Sequence, residues 1–170
     1  MDLSFPGGTP LREIADGTLL IKGKGGQMEG YYLWLQPSPD DTDIDCWVYS
    51  KYQNLDKRPL LNPGEQIKHG QVIPYSSKTG TTDGHYGKSG YPHLHISTMK
   101  AASDKHKIIG SQMMTKNSTL FDPLQMFMGI QAQDQMAKQT YQLKLPYAVP
   151  DERITPSESR VVWPVYCQQQ

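Results

Sequence analysis

The chain has 170 residues, 36% of them apolar, which is enough for one domain with a buried core and too little for two. Its 17 basic and 17 acidic residues cancel, and no run of Lys and Arg is present, so the sequence lacks the electrostatic footprint of a nucleic-acid-binding protein. No apolar run is long enough to span a membrane, and the N-terminus shows no charged segment followed by an apolar one, so no signal peptide is visible.

Glycine and proline divide the chain into short segments, with 15 and 13 residues respectively. This spacing favours strands joined by turns over long helices. Strands are predicted, in chain order, at residues 18–21, 31–35, 46–49, 71–75 and 93–97. The intervening turns and loops are predicted at residues 5–10, 16–17, 23–26, 37–43, 62–65 and 76–90. The sequence therefore predicts a mainly β fold.

The C-terminal part differs in character. Asp122 followed by Pro123 has the pattern of a helix N-cap and first helical position, so a short helix is predicted at residues 124–128, which residues 131–140 would extend. Four prolines then interrupt the chain, at Pro146, Pro150, Pro156 and Pro164. We therefore expect one domain over residues 1–129, and a helix with an extended tail over residues 130–170 that wraps the domain or docks elsewhere.

Two cysteines, Cys46 and Cys167, are too few and too far apart for a structural zinc cluster. We interpret them as free thiols, and a disulfide in an oxidising compartment is the alternative.

His93-Leu94-His95 is the strongest chemical signal in the sequence. Residues two apart in a strand point to the same face, so both imidazoles face one way and Leu94 faces the core. Two imidazoles on one face form half of a zinc site, because neutral imidazole is a common zinc ligand. On spacing alone, two histidines on an exposed strand face remain an equal alternative.

Short motifs on either side of this pair occur in a fixed order. They are Asp2-Leu3, Gly8-Thr9-Pro10-Leu11, Ala15-Asp16-Gly17, Val48-Tyr49-Ser50-Lys51, the segment 63–73 with its Gly70-Gln71, Thr79-Gly80, Pro92-His93-Leu94-His95-Ile96 and Asp122-Pro123. Over about residues 2–128 this ordered set resembles the lysostaphin-type (LytM-like) zinc peptidases. The resemblance implies the duplicated hybrid motif fold, a small antiparallel β-sheet or β-sandwich with a short C-terminal helix.

The resemblance also implies a site. Asp2 and His95 fall on zinc ligands of the family, and His93 falls on the histidine beside the metal that activates water or stabilises the oxyanion. The implied cofactor is Zn²⁺, and the implied substrates are the peptide cross-links of bacterial peptidoglycan. Action outside the cytoplasm, in the periplasm or cell wall, is implied with them.

The sequence departs from the family at two positions. The family's other zinc-binding histidine lies four residues before the aspartate, a place ahead of residue 1, so two of the usual three protein ligands are in the chain. Lys51 stands where the family has a second active-site histidine; a lysine cation donates to an oxyanion but cannot accept a proton as neutral imidazole does. His85, in the loop at 76–90, is a candidate substitute, and a solvated loop histidine is its alternative.

Three functions follow from these observations. The first is a zinc endopeptidase of cell-wall peptides, if the missing histidine precedes residue 1 in the parent protein. The second is a degenerate domain that binds the wall or regulates another wall hydrolase. The third is an interaction module of a phage or secretion assembly that docks through its tail. The aromatic side chains would line a substrate groove or fill the core; they are Tyr31, Tyr32, Trp34, Trp47 and Tyr49.

Overall fold

The structure, a computed structural model, describes residues 1–82, 87–128 and 145–167. Its strands are β1 (Asp2–Ser4), β2 (Leu11–Arg12), β3 (Gly17–Lys24), β4 (Tyr31–Gln36), β5 (Trp47–Leu55), β6 (Gln66–Ile67), β7 (Val72–Ile73), β8 (His93–Ala101), β9 (Lys107–Ile109), β10 (Gln112–Met114), β11 (Thr119–Phe121), β12 (Tyr147–Ala148) and β13 (Ile154–Thr155). Two short 3-10 helices lie at Pro39–Asp41 and Pro123–Phe127.

Seven strands form the main sheet in the order β1-β8-β5-β4-β3-β6, with β11 pairing β8 beyond β1. Each of these pairs is antiparallel. The described residues also form three two-stranded pairs, β2–β7, β9–β10 and β12–β13. The predicted class, a mainly antiparallel β fold, is confirmed. The strands predicted at 46–49 and 93–97 are longer than expected and run to Leu55 and Ala101.

One face of the sheet covers the main core. Leu94 and Ile96 of β8 are fully buried there, as the period of two predicts. They pack with side chains of β4, β5 and the β2–β7 pair, among them Leu33, Leu35, Val48, Tyr52, Leu11 and Ile73. The opposite face therefore carries the alternate residues of the same strands, including His93 and His95.

A second apolar cluster lies on that opposite face. It consists of Tyr32, Trp34, Tyr49, Ala101 and Met113. Three of the five aromatic residues considered from the sequence are thus core residues of this smaller cluster. Trp47 packs against it, and Tyr31 packs against the main core.

The C-terminal segment at 145–167 lies on the main core. Val161 forms a bridge with Ala15, and the backbone N–H of Val162 donates to the carbonyl of Ile14 at 2.8 Å. The ring of Trp163 lies 5.5 Å from that of Phe127, the last residue of the second 3-10 helix. That helix begins after Asp122, whose side chain accepts from Leu124 N–H, and it lies where a short helix is predicted at 124–128. The extension expected at residues 131–140 lies outside the described residues.

Cys46 and Cys167 are both free and half-buried. Among the described residues, no helix has the length and apolar character that crossing a membrane requires.

Candidate metal centre

The register between the edge strand β1 and β8 builds the centre. Asp2 lies directly opposite His95, and Ser4 lies opposite His93. Directly opposed residues of an antiparallel pair point to the same face, so the carboxylate joins the two imidazoles. Asp2 Oδ1 lies 2.6 Å from His95 Nδ1 and 3.7 Å from His93 Nε2.

These three residues offer one ligand atom each, and the three atoms lie within 4.8 Å of one another. One carboxylate oxygen with two imidazole nitrogens is a donor set that zinc accepts in catalytic sites. The residues therefore fit a metal ion by donor type and by convergence. Asp2 and His95 are partly exposed, with 42% and 34% of their side chains accessible, so the centre opens to solvent on their side.

His93 forms the buried side of the centre. Its side chain is 2% exposed, and its ring stacks on that of Tyr91 with 4.6 Å between centroids. Its Nδ1 lies 3.2 Å from the carbonyl oxygen of Tyr91. A proton on Nδ1 directed to that carbonyl leaves Nε2, the nitrogen nearer Asp2, as the acceptor.

Ser97 is a site residue that the sequence analysis did not identify. Its Oγ lies 3.0 Å from His95 Nε2, so it orients the imidazole from the side opposite Asp2. The signal that could have found it is the same period of two that places His93 and His95 on one face.

Lys51 lies one strand away on the same face. It pairs with Ser97 across β5 and β8, and Gln53 pairs with His95. Its ammonium is held 2.8 Å from Glu29 Oε1, and Lys51 is 3% exposed. The rings of Tyr32 and Trp34 lie 5.0 and 5.5 Å from the ammonium.

Glu29 is the ion-pair partner of Lys51, and no sequence pattern indicated it. Burial raises its pKa, but hydrogen bonds from Lys51 and Ser111 and the charge of Lys51 lower it, and the net pKa is below the usual value. Glu29 is therefore a carboxylate that compensates the buried Lys51 cation. The structure thus places Lys51 beside the centre with its charge directed to Glu29.

Among the described residues, His69 and His106 do not belong to the three-residue metal group. His85 lies outside the described residues. His69 Nδ1 is 2.6 Å from Asp16 Oδ1 in the turn between β6 and β7. His106 contacts the edge of Tyr49 at 6.0 Å.

A loop packed on the start of β4 precedes the His-x-His strand. Thr79 accepts from Asn54 Nδ2 through its carbonyl oxygen at 2.8 Å, and its hydroxyl donates to the carbonyl of Leu55 at 2.6 Å. Gly30 lies against Thr79 with a φ of 61°, so a side chain at Gly30 has neither the space nor the favoured backbone angle. This contact positions Thr79 between the turn before β4 and the end of β5.

Comparison with known proteins gives a family. The sequence model of peptidase family M23 matches residues 1–122. An uncharacterized metalloprotease of Buchnera aphidicola subsp. Baizongia pistaciae is 32% identical over 95 residues, which are 56% of this chain and 21% of that protein. The chain therefore matches only about a fifth of the length of that relative.

Solved structures with the same kind of fold include two catalytic domains. That of the antimicrobial peptidase lysostaphin from Staphylococcus simulans is 27% identical, covers 61% of this chain and 67% of its own, and superposes with a TM-score of 0.46. That of the prophage-encoded M23 protein EnpA from Enterococcus faecalis is 18% identical, covers 59% and 65%, and has a TM-score of 0.45.

Proposed function

Because the chain belongs to peptidase family M23, we propose that it is a zinc-dependent endopeptidase that cleaves peptide cross-links of bacterial peptidoglycan. One observation carries the proposal: Asp2 and His95, 93 residues apart in sequence, are opposed across two strands with their ligand atoms 2.6 Å apart. His93 Nε2 lies beside them, 3.7 Å from Asp2 Oδ1.

We assign the following roles. Asp2 and His95 hold the metal ion, and Ser97 orients His95. A zinc ion held there would supply Lewis-acid chemistry, polarising a peptide carbonyl and lowering the pKa of a water molecule. His93 accepts the proton of the attacking water at Nε2, because its Nδ1 faces the carbonyl of Tyr91. The protonated imidazole stabilises negative charge developing on the substrate oxygen and returns its proton to the amine nitrogen that leaves as the C–N bond breaks.

We also propose domain bounds, a place of action and a role for His85. We assign the peptidase domain to residues 1–129 and a helix with an extended C-terminal tail to residues 130–170. Peptidoglycan peptides lie outside the cytoplasm, so we propose that the protein acts in the periplasm or cell wall. His85 remains a candidate contact to substrate.

Lys51 favours a second function. Its ammonium, bound to Glu29, occupies the place of the family's second active-site histidine and cannot accept a proton as imidazole does. A domain with this change would bind peptidoglycan without cutting it, or regulate another wall hydrolase. If the protein binds peptidoglycan but produces no new peptide ends in it, this function is favoured over the first.

Zinc content and hydrolysis test the proposal together. The purified chain is loaded with zinc, measured by mass spectrometry for the metal, and incubated with peptidoglycan, whose new amino ends are then identified. We expect about one zinc per chain and new ends, and His95→Ala should weaken zinc binding at least about tenfold and abolish cleavage. His106→Ala is the matched control, since it removes an imidazole that contacts Tyr49 instead. An unchanged zinc affinity in His95→Ala would contradict the assignment.

A further inference from the structure

Positive charge is concentrated in one part of the chain. Residues 100–121 contain four lysines and one acidic residue, Asp104, so this segment carries a net charge of +3 in a chain whose formal net charge is 0. The segment includes the β9–β10 hairpin, with Lys105 and Lys107 at its start and Lys116 just after its end. Such an asymmetry indicates a surface that attracts anions.

Three of these lysines converge on the hairpin. Lys105, Lys107 and Lys116 line a surface depression of about 390 Å³ together with Met114. All three are exposed, and within the part of the chain that the structure describes none of them forms an ion pair. The Thr115 hydroxyl donates to the carbonyl of Lys105 at 2.7 Å and so ties together the two ends of the hairpin. Three uncompensated ammonium groups around one depression favour an anionic group such as a phosphate.

Exposed apolar side chains lie on the same hairpin. The structure describes eight exposed large apolar side chains, and four of them lie between residues 108 and 120. Lys107 is directly opposite Met114, so both point to one face, which Ile109 shares two residues along β9. This is the outer face of the hairpin, because Met113, which points the other way, is buried in the smaller apolar cluster. Ile109 and Met114 are 61% and 56% exposed and thus stand beside the lysines.

We propose that the outer face of the β9–β10 hairpin docks the protein on an anionic lipid membrane. The lysines bind lipid phosphates at the depression, while Ile109 and Met114 enter the boundary between headgroups and acyl chains. The apolar side chains favour a membrane over a soluble polyanion, because a polyanion attracts the lysines but does not take Ile109 out of water. This role goes beyond the proposed function and does not depend on it.

The position of the hairpin relates the membrane to the candidate metal centre. The hairpin packs on Trp34 and Tyr49, on the face of the sheet that carries the centre. Leu120 of β11 is 77% exposed and directly opposite Met99, so it points to the same face. Docking through the hairpin therefore turns the face that carries the centre towards the membrane.

Co-sedimentation of the purified chain with lipid vesicles tests the role of charge. We expect vesicles of phosphatidylglycerol and phosphatidylcholine in equal parts to bind at least about tenfold more tightly than vesicles of phosphatidylcholine alone, and less tightly as salt is added. Lys105→Gln, Lys107→Gln and Lys116→Gln should each weaken binding about fivefold. Lys68→Gln is the matched control, because Lys68 is 74% exposed just after β6, at the other edge of the sheet.

Two results of that experiment would overturn the proposal. One is equal binding to the two kinds of vesicle, or none to either. The other is binding to the anionic vesicles that the three hairpin variants leave unchanged or that Lys68→Gln weakens as much. None of these measurements requires a metal ion, so their outcome is separate from that of the endopeptidase assignment.

Insertion of the apolar side chains is tested on the same vesicles. Ile109→Ser should weaken binding at least about fivefold, whereas Val72→Ser, at a 42% exposed position of β7, should not. Ile109→Trp should show quenching by lipids brominated on their acyl chains beyond that of the unaltered protein, and Val72→Trp should not. If Ile109→Ser binds as the unaltered protein does and soluble polyphosphate displaces the vesicles, the surface is a polyanion site and the membrane proposal is wrong.

Discussion

At the scale of single residues, the main core contains a carboxyl group that the proposed chemistry does not use. Glu13 is fully buried, and its Oε1 accepts from the Tyr52 hydroxyl at 2.8 Å. Its Oε2 has no hydrogen-bond partner within the described ranges. Burial raises the pKa of Glu13 to about 8, and hydrogen bonds from Tyr52 and from the backbone at Ala15 and Ile14 offset only part of that rise. Glu13 is therefore protonated at neutral pH.

The stability of the fold should depend on this proton. The unfolded chain releases it near pH 4.5 and the folded chain near pH 8, so the folded state binds more protons between these values. The free energy of unfolding should therefore fall as pH rises through this window, by up to about 1.4 kcal/mol per unit, and not fall further from this cause above it. Urea denaturation of the protein and of Glu13→Gln at pH 5 to about 9 measures it; the variant should show a flatter profile.

The exposed Glu158→Gln serves as the control, since it makes the same substitution at a surface position. A Glu13→Gln profile as steep as that of the unaltered protein would show that another group binds the proton.

At the scale of elements, the segment before β8 is held against the rest of the sheet through Thr79. Gly30, at the end of the turn before β4, contacts Thr79 with a positive φ of 61°. Thr79 also bonds to Asn54 and Leu55 at the end of β5. Thr79 is therefore held by hydrogen bonds to the end of β5 and by its contact with Gly30, which a side chain at Gly30 would displace.

Gly30→Ala should consequently destabilise the protein by about 2 kcal/mol or more, because strain at positive φ adds to a steric clash with Thr79. Gly26→Ala is a matched control in the same turn, where a Cβ atom would meet nothing within 4 Å, and its effect should stay within about 1 kcal/mol. Thermal and chemical unfolding of both variants compares them. Equal losses in both would show that the contact with Thr79 contributes nothing.

At the scale of the whole molecule, the C-terminal segment adds to the core of the sheet. Val162 is fully buried, its N–H donates to Ile14, and Trp163 packs on Phe127. Tyr166 of the same segment contacts Arg12 of β2, whose guanidinium lies 3.6 Å from the centroid of the Tyr166 ring. Because these contacts reach β2 and the residues that follow it, the segment at 145–167 should unfold together with the sheet.

Val162→Ala tests this cooperativity. Removing two methyl groups from a buried site should cost about 1–3 kcal/mol and shift a single unfolding transition. Val72→Ala, at a position that is 42% exposed, should cost less than about 1 kcal/mol. A change confined to a separate, earlier transition would show instead that the C-terminal segment is an independent unit.

The sequence by itself determined the local features of this protein. The strand character of residues 93–97, the shared face of His93 and His95, and the cap at Asp122 follow from periodicity and turn chemistry, which act between neighbours in the chain. The ordered motifs added the expectation that Asp2 joins the two histidines. The 3-10 geometry after Asp122 and the short strands β9 to β13 carry too few residues for a local pattern to specify them.

Only the tertiary structure decided the partners of these residues. Asp2 meets His95 through strand register, and Lys51 meets Glu29, 22 residues earlier, through a turn and a neighbouring strand. The β9–β10 hairpin is positioned by contacts with Trp34 and Tyr49 from other strands. Such pairings depend on how distant segments pack, and no local spacing along the chain encodes them.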